Sequence, residues 1–521
     1  MTDNVVTFYR GDGKPVETAR SRIGSIMDQF NKILSIINDN VLLTIIGIAF
    51  GIQLIYILLF FVRAKKYPVA EKKHRFGIVI PARNESSVIA DTVKCILASK
   101  YPKDLFDVYV VADNCTDNTA ELARQAGATV FERTDPDPKH HKAGYALKYL
   151  FEKIMELHPD HYYEAFIKFD ADNLMEPDYI SRMNDAFDAG VKCARGYSNS
   201  KNIDQNVIAG ISGLWYIRDC RFASNFRSAI GQGTMLGGAG MMFAAEIIEK
   251  HGWDCLTASD DSEFTMRRLN QDKIKTMYVK DAIVYEDQPS TIKDTFKRYK
   301  RMSGALNSLF YTQGIKSFLL FFVRWKWTYI DMFLTLMFIP VCVLMCTWLP
   351  IYYAYVLIYH GIMGNWDIFW TYMTTICYSL AFAFVAMFIL QALLAVALEQ
   401  KRIKAPVKKM LPSVFLFPVF MIIYAAAITL GVFSRSKWHE VKRNTAVSGG
   451  IAVAEAAATG DGEAAEVSAD DVAAPEANAD ITSEDASDAD NAVADDASGG
   501  DVEYVVDTED AENADAGDKT A

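Results

Sequence analysis

A long run of uncharged residues near the N-terminus constrains this chain more than any other feature. Residues 41–62 carry no charged side chain and are almost all apolar. About 20 residues of this kind are enough to cross a lipid bilayer as a helix. Basic residues cluster directly after the run, from Arg63 to Arg75. Because positive residues stay on the cytoplasmic side, we expect a transmembrane helix over 41–63, with the N-terminal segment 1–40 outside and the following domain inside.

Apolar segments return in the C-terminal half of the chain. Residues 328–347, 370–396 and 411–433 are each long enough to span a bilayer, which predicts about three transmembrane helices within 328–434. The residues before them, 314–327, are apolar but interleave Lys and Arg with Trp. This mixture is typical of an interfacial helix. We therefore expect a multi-pass protein of the cell (plasma) membrane.

The positive residues near the last apolar segment raise a conflict in the predicted topology. Both 401–409 and 435–443 are rich in Lys and Arg. A single span between them cannot leave both on the cytoplasmic side. Three alternatives stay open. Residues 411–433 re-enter the membrane without crossing it, residues 348–363 form an extra short span, or one of the two basic segments lies on the non-cytoplasmic side.

The segment between the apolar regions, residues 75–313, has the pattern of a soluble α/β domain. Short apolar runs alternate with helical stretches rich in Ala, Leu and Lys; the runs are Phe76–Ile80, Val108–Val111, Phe166–Phe169 and Met277–Val279. Such alternation favours a mostly parallel sheet, Rossmann-like in its connections, with covering helices. Eight cysteines show no CxxC pair, so we interpret those of this domain as reduced packing residues.

Charge is unevenly distributed along the chain. The formal net charge is −12, but residues 446–521 hold 22 of the 65 acidic residues and one of the 53 basic residues. This segment has almost no aromatic residues and cannot bury enough apolar area to offset the entropy of ordering, which predicts a disordered acidic tail. The basic residues of the body cluster beside the apolar segments, where orientation in a bilayer explains them, so the sequence gives no support for nucleic-acid binding.

Two carboxylates follow one of the predicted strands. Asp170-Ala171-Asp172 comes at the end of the apolar run Phe166–Phe169. Residues two apart on a strand point to the same side, so both carboxylates should meet where the strand ends, and open α/β sheets bind ligands at that edge. Paired oxygen ligands suit a divalent cation that also holds phosphate oxygens. The same three letters recur in the acidic tail at Asp488-Ala489-Asp490 without a strand before them.

Four other polar segments stand where predicted strands end or helices begin. They are Pro81-Ala82-Arg83-Asn84-Glu85, the run from Asp113 to Thr119, Lys142-Ala143-Gly144, and Ser259-Asp260-Asp261, which follows the glycine-rich residues 237–240. Each can also be an ordinary turn or helix cap, and the paired carboxylates of the last can simply complement a helix dipole. Lys142 at a helix start favours phosphate. The order and spacing of the set are more informative than any member.

The series resembles the family 2 glycosyltransferases, membrane-attached enzymes of the GT-A fold that include polysaccharide, hyaluronan and cellulose synthases. The resemblance extends from about residue 76 to residue 304 and rests on five motifs of that family. They are a strand followed by Pro-x-x-Asn-Glu, an Asp in the setting Asp-x-x-Thr-Asp-x-Thr, a helix that starts with Lys-x-x-Ala-Leu, Asp-x-Asp, and Thr-Glu-Asp. The resemblance implies an inverting transfer of a sugar, with Mg²⁺ or Mn²⁺, from a nucleotide-sugar donor to a cell-surface glycan or lipid-linked acceptor. It also implies action at the cytoplasmic face of the lipid bilayer, and the sequence says nothing about a partner subunit.

The resemblance assigns a role to each matching residue. Glu85 and Asp113 would hold the base and ribose of the nucleotide, and Lys142 would lie near the diphosphate. Asp170 would contact the nucleotide and Asp172 would bind the metal. Asp261 would be the general base. Gly238, Gly240, Asp260, Arg298 and Arg301 would surround the acceptor and the diphosphate.

The chain departs from the family pattern at several positions. Polymer-forming members carry Gln-x-x-Arg-Trp after the base, where this chain has Arg298-Tyr299-Lys300-Arg301-Met302. Asp260 replaces the family's Glu, and Ala239 replaces the Thr of Gly-Thr-Gly. Because Met302 offers no flat face for a sugar, processive and single-addition chemistry both stay open. A catalytically silent protein that binds nucleotide sugar, or an accessory subunit of a synthase, is the main alternative. A transporter with a regulatory domain and a nucleotidyltransferase are further alternatives.

Overall fold

The computed structural model describes residues 19–158, 161–382, 385 and 388–433. The predicted acidic tail lies outside the described residues. Eight strands form a single sheet; they are β1 (Phe76–Ala82), β2 (Phe106–Asp113), β3 (Thr129–Arg133), β4 (Ala165–Lys168), β5 (Leu174–Met175), β6 (Cys193–Ser200), β7 (Met241–Ala244) and β8 (Thr276–Glu286). Their order across the sheet is β3-β2-β1-β4-β7-β6-β8-β5.

Six of these strands run in the same direction. β1 pairs in parallel with β2 and β4, β2 with β3, and β6 with β8. β7 lies antiparallel between β4 and β6, and β5 pairs antiparallel with β8. The carboxyl ends of β1, β2, β4, β6 and β8 therefore meet at one edge, together with the amino end of β7. The predicted α/β class with a mostly parallel sheet is confirmed.

Helices cover the sheet and continue beyond it. They are α1 (Ala19–Ser35), α2 (Leu43–Leu58), α3 (Ile89–Leu97), α4 (Thr119–Gln125), α5 (Ala143–Leu157), α6 (Tyr179–Asp188), α7 (Val207–Asp219), α8 (Asn225–Ala229), α9 (Ala245–His251), α10 (Asp260–Arg267), α11 (Ile292–Leu309), α12 (Ile315–Arg324), α13 (Trp327–Ile362), α14 (Trp366–Phe382), α15 (Leu390–Glu399) and α16 (Val407–Val432). The sequence pattern indicated four of the eight strands, because β3, β5, β6 and β7 are short or polar.

The alternation of side chains along β1 divides the core into two layers. Phe76, Ile78 and Ile80 point to one face and pack with α3 and α6, whereas Val79 points to the other face and packs with α5 and α9. Both faces of the central strands are therefore buried, as the continuous apolar runs of the sequence require. This double cover leaves the edge at the strand ends as the place where polar side chains can gather.

Among the residues that the structure describes, three helical segments are long and apolar enough to cross a membrane: Gln29–Leu58, Trp327–Ile362 and Val407–Val432. The first begins well before the predicted residue 41, and the second merges the predicted 328–347 with the short segment 348–363. The predicted span 370–396 corresponds to α14 and α15, and part of it lies outside the described residues. Within the predicted interfacial segment 314–327, α12 ends at Arg324 and the backbone turns sharply at Trp325, whose φ is 48°.

Candidate active site

The polar segments predicted from the sequence gather at one edge of the sheet. Glu85 follows β1, Asp113 ends β2, and Asp170 and Asp172 follow β4. Gly238 and Gly240 precede β7, which enters the sheet from this edge because it is antiparallel. Asp260 and Asp261 begin α10, and Lys142 stands directly before α5. The topology therefore brings together residues that lie up to about 200 positions apart in the chain.

The turn after β4 is fixed by its own hydrogen bonds. The backbone N–H of Asp170 donates to Asn173 Oδ1 over 2.8 Å, and the backbone N–H of Asn173 donates to the carbonyl of Asp170 over 3.1 Å. Asn173 Nδ2 also donates to Asp172 Oδ1 at 3.3 Å. Asp172 is buried, whereas the Asp170 side chain is 45% exposed. The turn thus presents one carboxylate toward solvent and keeps the other enclosed.

A buried lysine joins this turn to the start of α10. Lys168 Nζ lies 3.0 Å from Asp260 Oδ2 and 3.7 Å from Asp170 Oδ1, and its side chain is 2% exposed. Burial opposes its charge, yet Asp260, Asp170 and Asp261 keep the pKa of Lys168 above its usual range. We call Lys168, Asp170, Asp260 and Asp261 the lysine cluster. Lys168 lies within the predicted apolar strand Phe166–Phe169 and was not predicted as a site residue. An isolated charged residue in such a run is a sequence signal for a buried ion pair.

Asp261 has an environment suited to accepting a proton. Burial and the neighbouring charge of Asp260 raise the pKa of Asp261 to about 6, and Lys168 opposes this rise. Its Oδ1 accepts a hydrogen bond from the backbone N–H of Ser262 over 2.7 Å. A buried carboxylate whose pKa is raised toward neutrality by burial and a charged neighbour is typical of acid–base sites. Helix-dipole compensation alone, the simpler interpretation of this pair, does not explain the ion pair with Lys168.

A second buried carboxylate, missed by the sequence analysis, lies at the end of β8. Burial raises the pKa of Glu286 to about 7; Arg298 opposes the rise, and the charges of Asp170 and Asp172 add to it. Arg298 Nη2 lies 3.7 Å from Glu286 Oε2 and donates to the hydroxyl of Tyr216 over 3.1 Å. The run Ala282–Tyr285 followed by an acid was the available signal, because it repeats the arrangement at Asp113 and Asp170.

Arg298 and Arg301 both lie on α11. They are three positions apart, so they share one face of the helix. The charges of Glu286 and Asp172 both act on Arg298, raising the pKa of its guanidinium despite burial. Arg298 therefore belongs with the carboxylates of the edge, and Arg301 lies one helical turn further along. Met302, at the position where polymer-forming enzymes carry Trp, packs instead against an apolar cluster formed with α7 and α16.

The β1–β2 end of the edge holds Glu85, Asp113 and Lys142, which we call the β1–β2 group. Asp113 pairs with Arg133 of β3, and both side chains are buried. Burial raises the pKa of Asp113 in spite of Arg133. The charge of His141, the residue before Lys142, also acts on Asp113. The start of α5 therefore lies within electrostatic reach of the end of β2.

Hydrogen bonds hold the loop after β1 to the loop after β2. The backbone N–H of Glu85 donates to Thr119 Oγ1 over 2.9 Å. Asp117 accepts from the backbone N–H groups of Ser86 and Thr119, at 3.2 and 3.1 Å. Asn84, with a positive φ of 53°, places its Oδ1 2.8 Å from the backbone nitrogen of Thr116. The position of Glu85 is thus set by backbone contacts between two neighbouring turns.

Two glycines keep the space beside Asp170 open. A Cβ added at Gly238 would lie 3.0 Å from Asp170 Oδ2, so any side chain there would crowd the carboxylate. Gly240 has a φ of +62° and would bring a Cβ into collision with the hydroxyl of Tyr179, which donates to the Gly240 carbonyl. Ala239 between them is buried in the core. The methyl of Ala239 thus fills a packing position, Gly240 has a backbone conformation that favours glycine, and a side chain at Gly238 would press on the Asp170 carboxylate.

The residues present fit a divalent cation that is shared with a substrate. Within the described part of the chain, no group of three or more His, Cys, Asp or Glu side chains could hold a metal ion by itself. Mg²⁺ and similar ions are commonly held by one or two carboxylates together with substrate phosphates and water. Asp172 with the partly exposed Asp170, beside the space at Gly238, supplies such a partial set of oxygen ligands.

The comparisons with known proteins match parts of this chain. Residues 74–305 match the sequence model described as glycosyltransferase like family 2. The chain is 38% identical over 78 residues to the low-salt glycan biosynthesis hexosyltransferase of Haloferax volcanii, which covers 15% of this chain and 18% of the relative. It is 25% identical over 209 residues to the beta-monoglucosyldiacylglycerol synthase of Nostoc sp., which covers 38% of this chain and 41% of the relative. The matches thus span less than half of these curated relatives.

Solved structures with a similar fold include two sugar transferases. A mannosyltransferase from Pyrobaculum calidifontis, in complex with GDP-Man and Mn²⁺, aligns with a TM-score of 0.39 and 15% identity over 64% of this chain and 95% of that one. Glucosyl-3-phosphoglycerate synthase from Mycobacterium tuberculosis, in complex with Mn²⁺ and UDP, aligns with a TM-score of 0.31 and 14% identity over 45% of this chain and 79% of that one.

Proposed function

We propose that this chain, whose residues 74–305 form a glycosyltransferase domain of family 2, moves a sugar from a nucleotide-sugar donor to a hydroxyl of a glycan or lipid-linked acceptor. The lysine cluster is the observation that carries the proposal. It places a carboxylate with a pKa of about 6, Asp261, at the same sheet edge as the Asp170–Asp172 turn. Direct transfer of a sugar to a hydroxyl requires a general base near the acceptor and carboxylates near the donor phosphates, and both are present at this edge.

In the proposed reaction, Asp261 takes the proton of the acceptor hydroxyl while its oxygen attacks the anomeric carbon. The bond from that carbon to the donor diphosphate breaks on the opposite side, so the anomeric centre is inverted. A general base in this position typically contributes about 10²–10⁴ in rate. Lys168 contacts Asp260 and lies near Asp170, and because it opposes the rise in the pKa of Asp261, it favours the ionised form of that carboxylate.

The donor would lie along the edge from the β1–β2 group to the turn after β4. Glu85 and Asp113 would bind the nucleotide, and Lys142 at the start of α5 would approach the diphosphate, where helix N-termini and Lys both favour anions. Mg²⁺ or Mn²⁺, when bound by Asp172 and the donor phosphates, would stabilise the negative charge of the leaving diphosphate. Arg298 and Arg301 would bind on the acceptor side, with Gly238 and Gly240 leaving room for the sugar.

We place the reaction at the cytoplasmic face of a cell membrane, with the chain spanning it more than once. The basic residues between Arg63 and Arg75 support this orientation. The names of the curated relatives, a hexosyltransferase and a glucosyldiacylglycerol synthase, support a hexose donor. They leave the choice between a glycan and a lipid-linked acceptor to experiment.

The experiment is a donor screen with the full-length protein in membranes. UDP- and GDP-sugars are supplied with Mg²⁺, Mn²⁺ or EDTA, and release of nucleoside diphosphate is measured. We expect turnover of at least one donor that EDTA stops and that Asp172→Ala abolishes. Binding of a nucleotide sugar without turnover of any donor, under either metal, would contradict the proposal and support the catalytically silent alternative.

A further inference from the structure

The helix α16 is long and apolar enough to cross a membrane, yet its amino end contacts the catalytic domain. Ser413 Oγ donates to the carbonyl of Val207 over 3.2 Å. A Cβ added at Gly210 would collide with Ser413, so α7 and α16 are in close contact there. In the first turn of the helix, Lys409 Nζ lies 3.3 Å from Asp204 Oδ2. The amino end of α16 is therefore at the level of charged surface residues of the domain.

The carboxyl end of α16 contacts the same domain at another helix. A Cβ added at Gly431 would collide with the backbone of Lys300 and with the side chain of Ser303. Both residues belong to α11, the helix that carries Arg298 and Arg301. The end of α16 is thus at the level of a charged helix that borders the candidate active site.

The middle of α16 stays in contact with the domain as well. The ring of Tyr424 lies 4.9 Å from that of Trp215 on α7 and 4.5 Å from that of Tyr299 on α11, measured between centroids. The ring of Phe420 lies 6.0 Å from that of Tyr299. One face of the helix is accordingly buried along its whole length, at Met410, Ser413, Val414, Phe417, Pro418, Phe420, Met421, Tyr424, Ala427, Ile428 and Gly431.

These contacts are incompatible with a helix that crosses the bilayer. Ser413 and Gly431 are about 27 Å apart along the helix axis, close to the roughly 30 Å thickness of the hydrocarbon core. If α16 crossed, Lys300 and its neighbours on α11 would have to lie near the far side of the membrane from Asp204. Charged side chains are costly at such depths, and α11 carries Lys297, Arg298, Lys300 and Arg301 within little more than one turn.

A different pattern holds for α13, the second long apolar helix. Its start contacts the domain, where Arg227 Nε donates to Asp331 Oδ2 over 2.8 Å. Its far half contacts the N-terminal helices instead: Trp348 Nε1 donates to Asn38 Oδ1 over 3.3 Å, and Tyr355 donates to Asn31 Oδ1 over 2.6 Å. The start of α13 is therefore held by the domain, Ile339 and Cys342 near its middle share an apolar cluster with α7, α11 and α16, and its far half is held by the N-terminal helices.

We propose that α16 does not cross the membrane but lies in the plane of the leaflet next to the catalytic domain. Its inner face packs on α7 and α11, and its outer face inserts among the acyl chains of that leaflet. The outer face is apolar and exposed at Phe415, Val419, Ile422 and Leu430. Lys401 lies shortly before the helix and Lys408 and Lys409 lie in its first turn, where they face the anionic headgroups of the same leaflet.

This arrangement removes the conflict in positive charge along the sequence. With α16 in the plane of one leaflet, the basic segments 401–409 and 435–443 need not lie on opposite sides of the membrane. It also brings the membrane surface to the candidate site, because Tyr299, which contacts Tyr424 of α16, is the neighbour of Arg298. An acceptor hydroxyl carried at the leaflet surface would then have a short path to the site. The placement of α16 itself does not depend on the proposed function.

The side of the membrane reached by the end of α16 tests the proposal. In the full chain with Cys115, Cys346 and Cys377 replaced by Ala, single cysteines are introduced as Phe433→Cys, Lys408→Cys and Met363→Cys. A membrane-impermeant maleimide is added to one side of sealed, oriented vesicles. We expect F433C to react from the same side as K408C, and M363C, at the far end of α13, to react from the opposite side. Reaction of F433C together with M363C would overturn the proposal.

The depth of the outer face gives a second test that needs no reaction at the end of the helix. Fluorescent labels on cysteines introduced at Phe415, Ile422 and Leu430 are quenched by lipids with nitroxides at different depths. We expect one common depth for all three, although positions 415 and 430 are about 22 Å apart along the helix. Labels at Ile351 and Ile358 of α13 should differ in depth by about 10 Å if that helix crosses. A graded depth along α16 would contradict the proposal.

Discussion

The two ends of the sheet edge hold their functional side chains in different ways. The β1–β2 group is positioned by hydrogen bonds between neighbouring turns, such as that from the backbone N–H of Glu85 to Thr119. The lysine cluster is positioned by charges that meet across about 90 residues of sequence, with Lys168 between Asp170 and Asp260. The first arrangement fixes where a ligand binds. The second also shifts proton affinity, because buried charges act strongly on one another.

The largest expected effect comes from removing the proposed base in the lysine cluster. Asp261→Asn keeps the shape of the side chain but cannot accept a proton, so kcat should fall by about 10²–10⁴ while the KM for the donor changes little. Release of nucleoside diphosphate in the presence of acceptor measures this. Asp91→Asn, on the exposed surface of α3, is the matched control and should leave kcat unchanged. Equal kcat values for wild type and Asp261→Asn would remove Asp261 from the chemistry.

Removing the lysine should destabilise the fold as well as the site. Lys168→Met leaves Asp260 buried without its partner, and breaking a buried pair in this way typically costs about 3–5 kcal/mol. Denaturant unfolding of the detergent-solubilised protein measures the change in free energy. Lys148→Met, on the exposed face of α5, removes the same charge at the surface and should cost under about 0.5 kcal/mol. A similar small cost for both variants would show that Lys168 does not stabilise the cluster.

The corresponding change at the other end of the edge should affect donor binding rather than proton transfer. Arg133→Met removes the buried partner of Asp113, so the carboxylate that would bind the nucleotide loses its orientation. We expect a rise in the KM for the donor of about tenfold, equal to about 1.4 kcal/mol. The pH dependence of kcat should be unchanged. A shifted pH profile in this variant would mean that the two ends of the edge are not independent.

The pH dependence of kcat can separate the charges that act on Asp261. Activity requires the ionised form, so it should fall as the pH drops through the pKa of Asp261, about 6. Asp260→Asn removes a charge that raises this pKa, and the acid limb should move to lower pH by about one unit. Lys168→Met removes a charge that lowers the pKa, and the limb should move to higher pH. Shifts in the same direction for both variants would contradict this account.

The smallest effect is expected from removing one hydroxyl beside the β1–β2 group. Thr119→Val keeps the side-chain volume but removes the Oγ1 that accepts from the backbone N–H of Glu85 and donates to Asp117 Oδ1. Thr119 is fully buried, so the unpaired N–H should cost about 1–3 kcal/mol of stability, and the KM for the donor should rise by a few-fold. Differential scanning calorimetry and donor titration measure the two effects. A change in kcat larger than the change in KM would contradict the assignment of this loop to donor binding.

Local patterns in the sequence determined the class of the fold and the order of the motifs. Continuous apolar runs predicted central strands buried on both faces, and the acids after them predicted the edge where Asp113, Asp170 and Asp172 lie. These features depend on neighbours in the chain, so a linear pattern contains them. The match of residues 74–305 to the model described as glycosyltransferase like family 2 spans the same local motifs.

Only the tertiary structure decided which distant charges meet and where the last apolar helix lies. The pairing of Lys168 with Asp260 and the approach of Glu286 to Arg298 depend on β4, β8 and α11 being brought to one edge. By its length and composition α16 could be a membrane span, but its contacts at both ends hold it against the domain. The physical reason is the same in each case. Burial and electrostatic energies depend on distances in space, and the sequence specifies those distances only through the complete fold.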